Sequence, residues 1–484
     1  MPFGISDKDA LEKPTRALAR FVVETKYEDL PREVVHETKR LILDVLGSTF
    51  AGSGTELGVI ALKYVSLLGG KPECTIISTG EKTSVLNAAY ANSRIADALD
   101  ATDMILNFAH VGPPAVISAL AFGERAGASG KDLITAVALG FEVGARLAAC
   151  VGTPLLTSAE QAGAHRSRLP LFEFASCSAA AKIMGFDEDK LLRAYGFTGA
   201  HASLAATRWT EAAVLPMTKY GDAGLQASQG GMGALMADCG LTTFDGILDG
   251  ARGLWTFRST GACDFNIMVG ELGKKWYLPE NSYKPWPSLR WTHHGLTLLT
   301  KIVGQNDIRA ADIDRIVVRT VPRGVAGRFA DKHPTGMVSC EFNQPHAMTM
   351  GVLGIKRGPL WYSPETMNDP QVRALREKVD VAVEPKSVEA KSWPLEDQIR
   401  KRPTSISLTA KGKTFEGYTE YAKGDPWSKE TYFSDEDIVA KFRDLAAWAN
   451  IASTSWRDRM DEIVESVLAL ERHDAGDLIR RFRV

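Results

Sequence analysis

Over roughly its first 270 residues the chain repeats one pattern, which limits its fold more than any single motif: apolar side chains at helical spacing, in segments rich in alanine and glycine. In "DLPREVVHETKRLILDVLGSTFAGSG", Val34, Val35, Thr38, Leu41, Ile42, Val45 and Leu46 fall on one face, after Pro31 and before a Gly-rich stop. The same reading predicts helices in "SVLNAAYANSRIADALD", "PPAVISALAFGERAGA", "SGKDLITAVALGFEVGARLAACVG", "SCSAAAKIMGF", "DEDKLLRAYGFTGAHASLAA" and "GLQASQGGMGALMADCG". Small residues on helix faces let the axes approach closely, so a compact helical bundle is expected.

The pattern changes near Trp276. "IDRIVVRTV", "VDVAVEP" and "TSISLTAKGKTFEGYTEY" are β-branched and alternating, the last with a turn at Gly412, and "THHGLTLLTKIVGQ" and "DPQVRALREKV" between them are helical. After residue 424 helical patterns return in "DEDIVAKFRDLAAWA" and "RDRMDEIVESVLALE". The expected organisation is mainly α: a large all-α bundle from residues 1–271, completed by helices in 425–484, and a smaller α+β domain over 272–424.

Composition excludes several function classes. Fifty-seven Lys and Arg against 59 Asp and Glu give no basic footprint for nucleic acid. Six cysteines without CxxC spacing read as reduced thiols, and the N-terminus carries charges where a signal peptide needs apolar residues. The most membrane-like run, Leu133 to Val151, contains Glu142 and Arg146 at i, i+4, which suits a buried helix better than a spanning one. A cytoplasmic protein without nucleic-acid or membrane partners is expected. "HETKR" fails the HExxH metal pattern at Arg40, "GKT" at Gly412 lacks its upstream glycine, and neither GxSxG nor a post-strand GxGxxG occurs. The motifs thus give no sign of nucleotide, metal or covalent hydrolase chemistry.

What remains is a set of polar islands in apolar or Gly-rich settings: Asp100, Asp103 and His110; His165 in "AGAHRSRLP"; Lys219 in "PMTKYGDAG"; Lys284, Arg290, His293 and His294 in "SYKPWPSLRWTHHG"; and His346 in "SCEFNQPHAM". Each alone has a plain structural reading. Their order along the chain carries more.

In that order the chain resembles the MmgE/PrpD family, which includes 2-methylcitrate dehydratase, cis-aconitate decarboxylase and iminodisuccinate epimerase. The resemblance runs from Asn92-Ser93 through Leu99-Asp100-Ala101-Thr102-Asp103 and His110-Val111-Gly112 to "SGKDLITAVALGFEVGARL", the Lys219 segment, "YKPWPSLRWTHHG" and "YAKGDPWS". It implies a helical domain with a smaller α+β lid, a homodimer, no cofactor, and a small carboxylic acid as substrate. It also implies catalytic roles for Asp100, His110, His165, Lys219 and Lys284, with Met104, Arg290, His293 and His346 lining the substrate. Lysines would hold developing carboxylate or enolate charge, histidines would move protons, and Asp100 would orient His110. The chain departs from the family pattern at Ser93, Met104, Val111, Leu289 and His346. The activity expected first is a dehydratase-like lyase on a hydroxylated di- or tricarboxylic acid. Its alternatives are an epimerase, racemase or decarboxylase of a related acid, and a carboxylate-binding or scaffold protein without catalysis.

Overall fold

The computed structural model describes residues 11–106, 109–150, 171–202, 214–219, 222–250, 254, 263–389, 400–449 and 456–482. Among these residues the chain is mainly α, with two small sheets. Nine helices of eight or more residues occur among the described residues before 250: α1 Pro14–Glu24, α2 Arg32–Gly52, α3 Glu56–Leu68, α4 Val85–Ala96, α5 Gly112–Ala126, α6 Gly130–Cys150, α7 Phe172–Ile183, α8 Glu188–Ala200 and α9 Ala223–Asp238.

Helix α7 is central and packs on α5, α6 and α9. The close approach needs glycine: a Cβ on Gly230 of α9 would lie 2.1 Å from the Glu173 carbonyl oxygen of α7. Helix α6 is the single described helix long and apolar enough to cross a membrane, and it is buried throughout this core. Its charges have internal uses. Arg146 donates to Glu142 at 2.7 Å and to the Gly270 and Lys275 carbonyls, while Glu142 accepts from the Tyr277 backbone N–H at 2.8 Å. A buried pair of this kind stands only when its remaining hydrogen-bonding capacity is filled.

That clamp explains one departure from the sequence reading. Leu272, Trp276, Tyr277, Leu278 and Tyr283 lie past the composition change, yet they pack in the helical core, with Trp276 5.5 Å from Phe21. A second departure is a two-stranded ribbon, β1 Cys74–Thr75 with β2 Lys82–Thr83, within the stretch read as wholly helical. Glu124 of α5 holds it, accepting from the Thr75 backbone N–H at 2.7 Å and pairing with Lys82.

The second sheet has the order β4-β3-β5-β6: β3 Ile313–Thr320, β4 Val379–Val383, β5 Thr404–Ala410 and β6 Lys413–Thr419. Strand β3 runs parallel to β4 (Ile316 opposite Val379) and antiparallel to β5 (Ile316 opposite Leu408). Helix α10 His293–Gln305 lies against β5 and β6, and α11 Gln344–Leu353 against α10 and β4. Their apolar faces form a second core, which reaches Leu99 and Ala101 at the end of α4. Helix α12 Asp435–Ala446 returns to α2, and with α13 Trp456–Leu468 it adds Ile438, Phe442, Trp456 and Ile463 to the first core. Lys441 of α12 reaches Asp44 of α2 and the Ala101 carbonyl, each at 2.5 Å.

Candidate functional site

The segment after α4 sets the site. Helix α4 stops at Asp97, and Asp100 follows in a left-handed backbone conformation, φ 49°. Lys219 shares that unusual geometry at φ 47°. Left-handed non-glycine residues cost about 1–2 kcal/mol each and cluster where function fixes the backbone. Beyond Asp100 the chain bridges Met104 to Ser282 and enters α5 at Gly112. The Gly112 N–H donates to both oxygens of Asp103, at 3.1 and 3.2 Å. A Cβ at 112 would sit 2.2 Å from Asp103 Oδ1, so this carboxyl caps the helix only because residue 112 is glycine.

Four of the sequence-nominated residues come together here. Lys284 Nζ donates to the Asp100 carbonyl at 2.9 Å and lies 3.1 Å from Asp100 Oδ1. His110 Nε2 is 3.4 Å from the same Oδ1, and its Nδ1 is 3.4 Å from Thr102 Oγ1. Lys219 Nζ donates to the carbonyls of Asp97 at 2.8 Å and Ala98 at 3.3 Å. Its third neighbour is Glu341 Oε2 at 3.0 Å. Asp100, Lys284 and Glu341 are 0% exposed, Lys219 2% and His110 4%, so the cluster is closed to solvent.

Burial and neighbours set the charges. Burial alone would push the Asp100 carboxyl up, but Lys284, His110 and Lys219 outweigh it and hold it below its ordinary value. His110 is driven down to about 3 by burial and by Lys284, against the pull of Asp100, and is neutral. Burial also lowers Lys284, although Asp100 opposes it. Lys219 is raised: burial works against its charge, but Glu341, Asp97 and Asp100 prevail. Glu341 is pushed up to about 8 by burial, with Asp100 and Asp97 adding to the rise and Lys219 resisting it.

The other nominated residues lie differently. His165 falls outside the described residues. Met104 is buried beside Asp103 in the bridge to Ser282. Arg290 contacts Asp425 Oδ1 at 2.5 Å and donates to the Tyr283 and Lys423 carbonyls. His293 lies 3.2 Å from Arg290 and 3.1 Å from the Ser288 carbonyl. His346 faces the Trp361 carbonyl at 2.8 Å and stacks on Tyr362, leaving its Nδ1 buried without a hydrogen-bond partner.

Three groups in or beside the cluster were not singled out from sequence. Asp97 lies one helical turn before Asp100 in "DALD", a spacing that could have drawn attention. Glu341 stands in the short helix Met337–Glu341, a lone acid in "MVSCEF". Tyr362 gave no local signal, yet its hydroxyl bonds the Pro287 carbonyl and feels the charges of Glu341 and Asp100. Ligand-type atoms of Asp97, Asp100 and His110 lie within 4.8 Å of one another, a grouping that could hold a cation. The Lys284 ammonium 3.1 Å from Asp100 already brings positive charge there.

Chemically, the arrangement offers two ammonium groups beside a histidine oriented by a carboxylate, out of water. That set suits stabilising a developing carboxylate or enolate charge while a proton moves.

The chain is 25% identical to cis-aconitate decarboxylase of Homo sapiens over 95% of its own length and 92% of the relative's. The Mus musculus enzyme of that name gives 25% over 95% and 91%. Cis-aconitate decarboxylase of Aspergillus terreus gives 26% over 51% and 50%. Residues 16–265 match the MmgE/PrpD N-terminal domain and residues 286–470 the MmgE/PrpD C-terminal domain. On these matches, which together span most of its length, the chain belongs to the MmgE/PrpD family.

Proposed function

We propose that this chain is a cofactor-independent lyase acting on a di- or tricarboxylic acid, with Asp100, His110, Lys219 and Lys284 as its catalytic set. The observation that carries the reading is the contact of Lys284 and His110 with one buried carboxylate oxygen of Asp100, with Lys219 nearby. Lys284 has two protein partners among its described contacts, Asp100 O and Oδ1, and its third N–H is the natural place for a substrate carboxylate. Fixed ammonium groups in a dry site stabilise charge that grows on that carboxylate as a neighbouring bond breaks. His110, neutral at rest, exchanges the proton, and Asp100 stabilises the imidazolium that forms.

Loss of carbon dioxide is the favoured bond-breaking step, supported by relatives named cis-aconitate decarboxylase along nearly the whole chain. In that step the C–C electron pair stays on carbon and a proton replaces the departing group. Loss of water from a hydroxylated acid is the second reading. It is favoured by Met104, which on the family resemblance stands where decarboxylase-like members carry threonine.

Because the cluster is closed, substrate entry requires the part carrying Lys284 and Glu341 to move from the part carrying Asp100 and Lys219. The α+β part from Lys284 to residue 424 is proposed as that lid, the stretch 272–283 staying with the helical core. Self-association through α3 is proposed as well: Ile60, Tyr64, Leu67 and Leu68 recur along one exposed stripe, Leu67 being 86% exposed. Sedimentation velocity of a Leu67→Glu variant checks it, with a shift to monomer expected.

Proton NMR in D₂O of the protein with citrate, 2-methylcitrate, cis-aconitate, tartrate, malate and iminodisuccinate tests the reaction. A product lacking one carboxylate and deuterated at the vacated carbon supports decarboxylation, and a new vinyl signal from a hydroxylated acid supports dehydration. Deuterium entry without net change means epimerisation. Silence across all six overturns the lyase assignment for this class of acid.

A further inference from the structure

Lys219 is already saturated. Its three N–H groups have three neighbours: the Asp97 carbonyl at 2.8 Å, the Ala98 carbonyl at 3.3 Å and Glu341 Oε2 at 3.0 Å. The two carbonyls belong to the backbone that shapes the site and cannot leave. A substrate carboxylate can reach Lys219 only by taking the place of Glu341.

The charges sharpen the point. Among the described residues, the carboxyl groups of Asp97, Asp100 and Glu341 face the ammonium groups of Lys219 and Lys284, with His110 neutral and the Tyr362 hydroxyl alongside. Arg94, one turn before Asp97, is balanced by Asp222 at 3.6 Å. Among the described residues the cluster therefore holds one carboxyl more than its cations neutralise. Both Glu341 oxygens are fully buried, and among the described residues the Lys219 ammonium 3.0 Å from Oε2 is the partner they have. A displaced Glu341 anion would remain in a dry site beside two aspartates and an incoming anion, which is strongly unfavourable.

We propose that Glu341 is a resident stand-in for a substrate carboxylate, which yields Lys219 to the incoming anion by accepting a proton and becoming a neutral carboxylic acid. This rests on the carboxylic-acid reading of the site and adds to it a gating residue. The balance is simple: one proton joins Glu341 as one anionic carboxylate joins Lys219, so the charge of the closed site does not change. Burial and the neighbouring aspartates already raise Glu341 to about 8, against Lys219, so below that pH the proton is already on Glu341 and above it one is taken up with the ligand. Asp97 is raised too, by burial, but it touches neither ammonium group through its carboxyl oxygens and blocks no lysine.

Two measurements on the full-length protein test the proposal. Calorimetric titration with citrate should show affinity falling about tenfold per pH unit on the alkaline side of about pH 8 in the wild type. Glu341→Gln should bind citrate at least as tightly and without that slope. A flat wild-type profile, or a Glu341→Gln profile with the slope intact, overturns the proposal. Infrared difference spectra of the ligand-free protein supply the second arm. The carbonyl stretch of a protonated carboxylic acid should titrate out on the alkaline side, vanish in Glu341→Gln and survive in Asp97→Asn. Asp103, also raised to about 8 by burial and Asp44, contributes its own band in all three proteins and cancels in the comparison. Loss of the band in Asp97→Asn with retention in Glu341→Gln assigns the proton to the wrong residue and overturns the proposal. Failure of every variant to bind citrate at any pH counts against the carboxylic-acid reading, while the infrared arm still decides whether Glu341 holds the proton.

Discussion

Two buried charged networks stand within a few residues of each other in this molecule, and they are built on opposite rules. Around Asp425 the carboxylate itself is fully engaged, although Arg290 Nε and His294 Nδ1 are buried there without hydrogen bonds. Its carboxylate accepts from Arg290 at 2.5 Å, Ser282 at 2.8 Å and the Ala422 N–H at 2.7 Å, and burial is overcome so that it stays well ionised. Among the described residues around Asp100 the carboxyl groups outnumber the cations, both Asp97 oxygens lack hydrogen bonds, and Glu341 is held near the point of protonation. Satisfied networks fix a structure, whereas an unsatisfied one keeps free energy available for a ligand or a proton. Lys284, which belongs to the second network, and Arg290, which belongs to the first, are six residues apart.

The largest expected effect separates the two by rate. His110→Gln should lower turnover on the substrate found by NMR by about 10²–10⁴-fold. Its thermal melt should stay within a few degrees of wild type, and a large fall in stability would move His110 into the structural network. Lys284→Met should weaken carboxylate binding and reduce kcat/KM by about 10²–10³-fold. Unchanged affinity in calorimetry would remove Lys284 from the binding role.

In the other network the effect should fall on stability. Asp425→Asn leaves the Arg290 guanidinium without its buried counter-charge, at a cost of about 3 kcal/mol measured by urea unfolding. A variant that kept its stability but lost turnover would break the comparison.

A smaller effect concerns pH. Asp103 is neutral in the fold because burial and Asp44 raise it from 3.8 to about 8. A folded value above the unfolded one stabilises fully at pH below about 3.8, and that contribution is lost as pH rises through about 8. Asp103→Asn, which can still accept from Gly112, should therefore flatten the fall in melting temperature between about pH 4 and pH 8. The buried histidines work in reverse. His110 at about 3 and His346 at about 4 lie below their ordinary 6.5, so the stability they give at neutral pH is lost as pH falls through those values. The smallest change expected is in substrate preference: Met104→Thr with His346→Tyr should shift kcat/KM between acids of the NMR panel by several-fold, with little change in the melt.

These contrasts also show what the sequence could and could not reveal. The helices were legible because a 3.6-residue period is a local property, and the strands because β-branched alternation is too. Asp100, His110, Lys219 and Lys284 were nominated through the ordered resemblance, and the structure gathers those four. Glu341 was missed because its meaning lies in a contact with Lys219 across 122 positions, which no local pattern encodes. Arg290 and His293 sit in the same motif as Lys284 and read the same way in sequence. Only the position of Asp425 tells them apart, and it comes from a distant segment.

The contact of Lys441 with Asp44 and Ala101 also sets a timetable. Asp44 and Lys441 are 397 residues apart, and the loop that presents Asp100 leans on the Lys441 ammonium. At about 5–20 residues per second, a ribosome needs roughly 20–80 s to make the chain between them. For that interval the helical core waits with an open seam where α12 will lie, and Asp44 is without its cation. A nascent protein truncated before α12 therefore has Asp100 and Lys284 but lacks the Lys441 ammonium that holds the Ala101 carbonyl beside them.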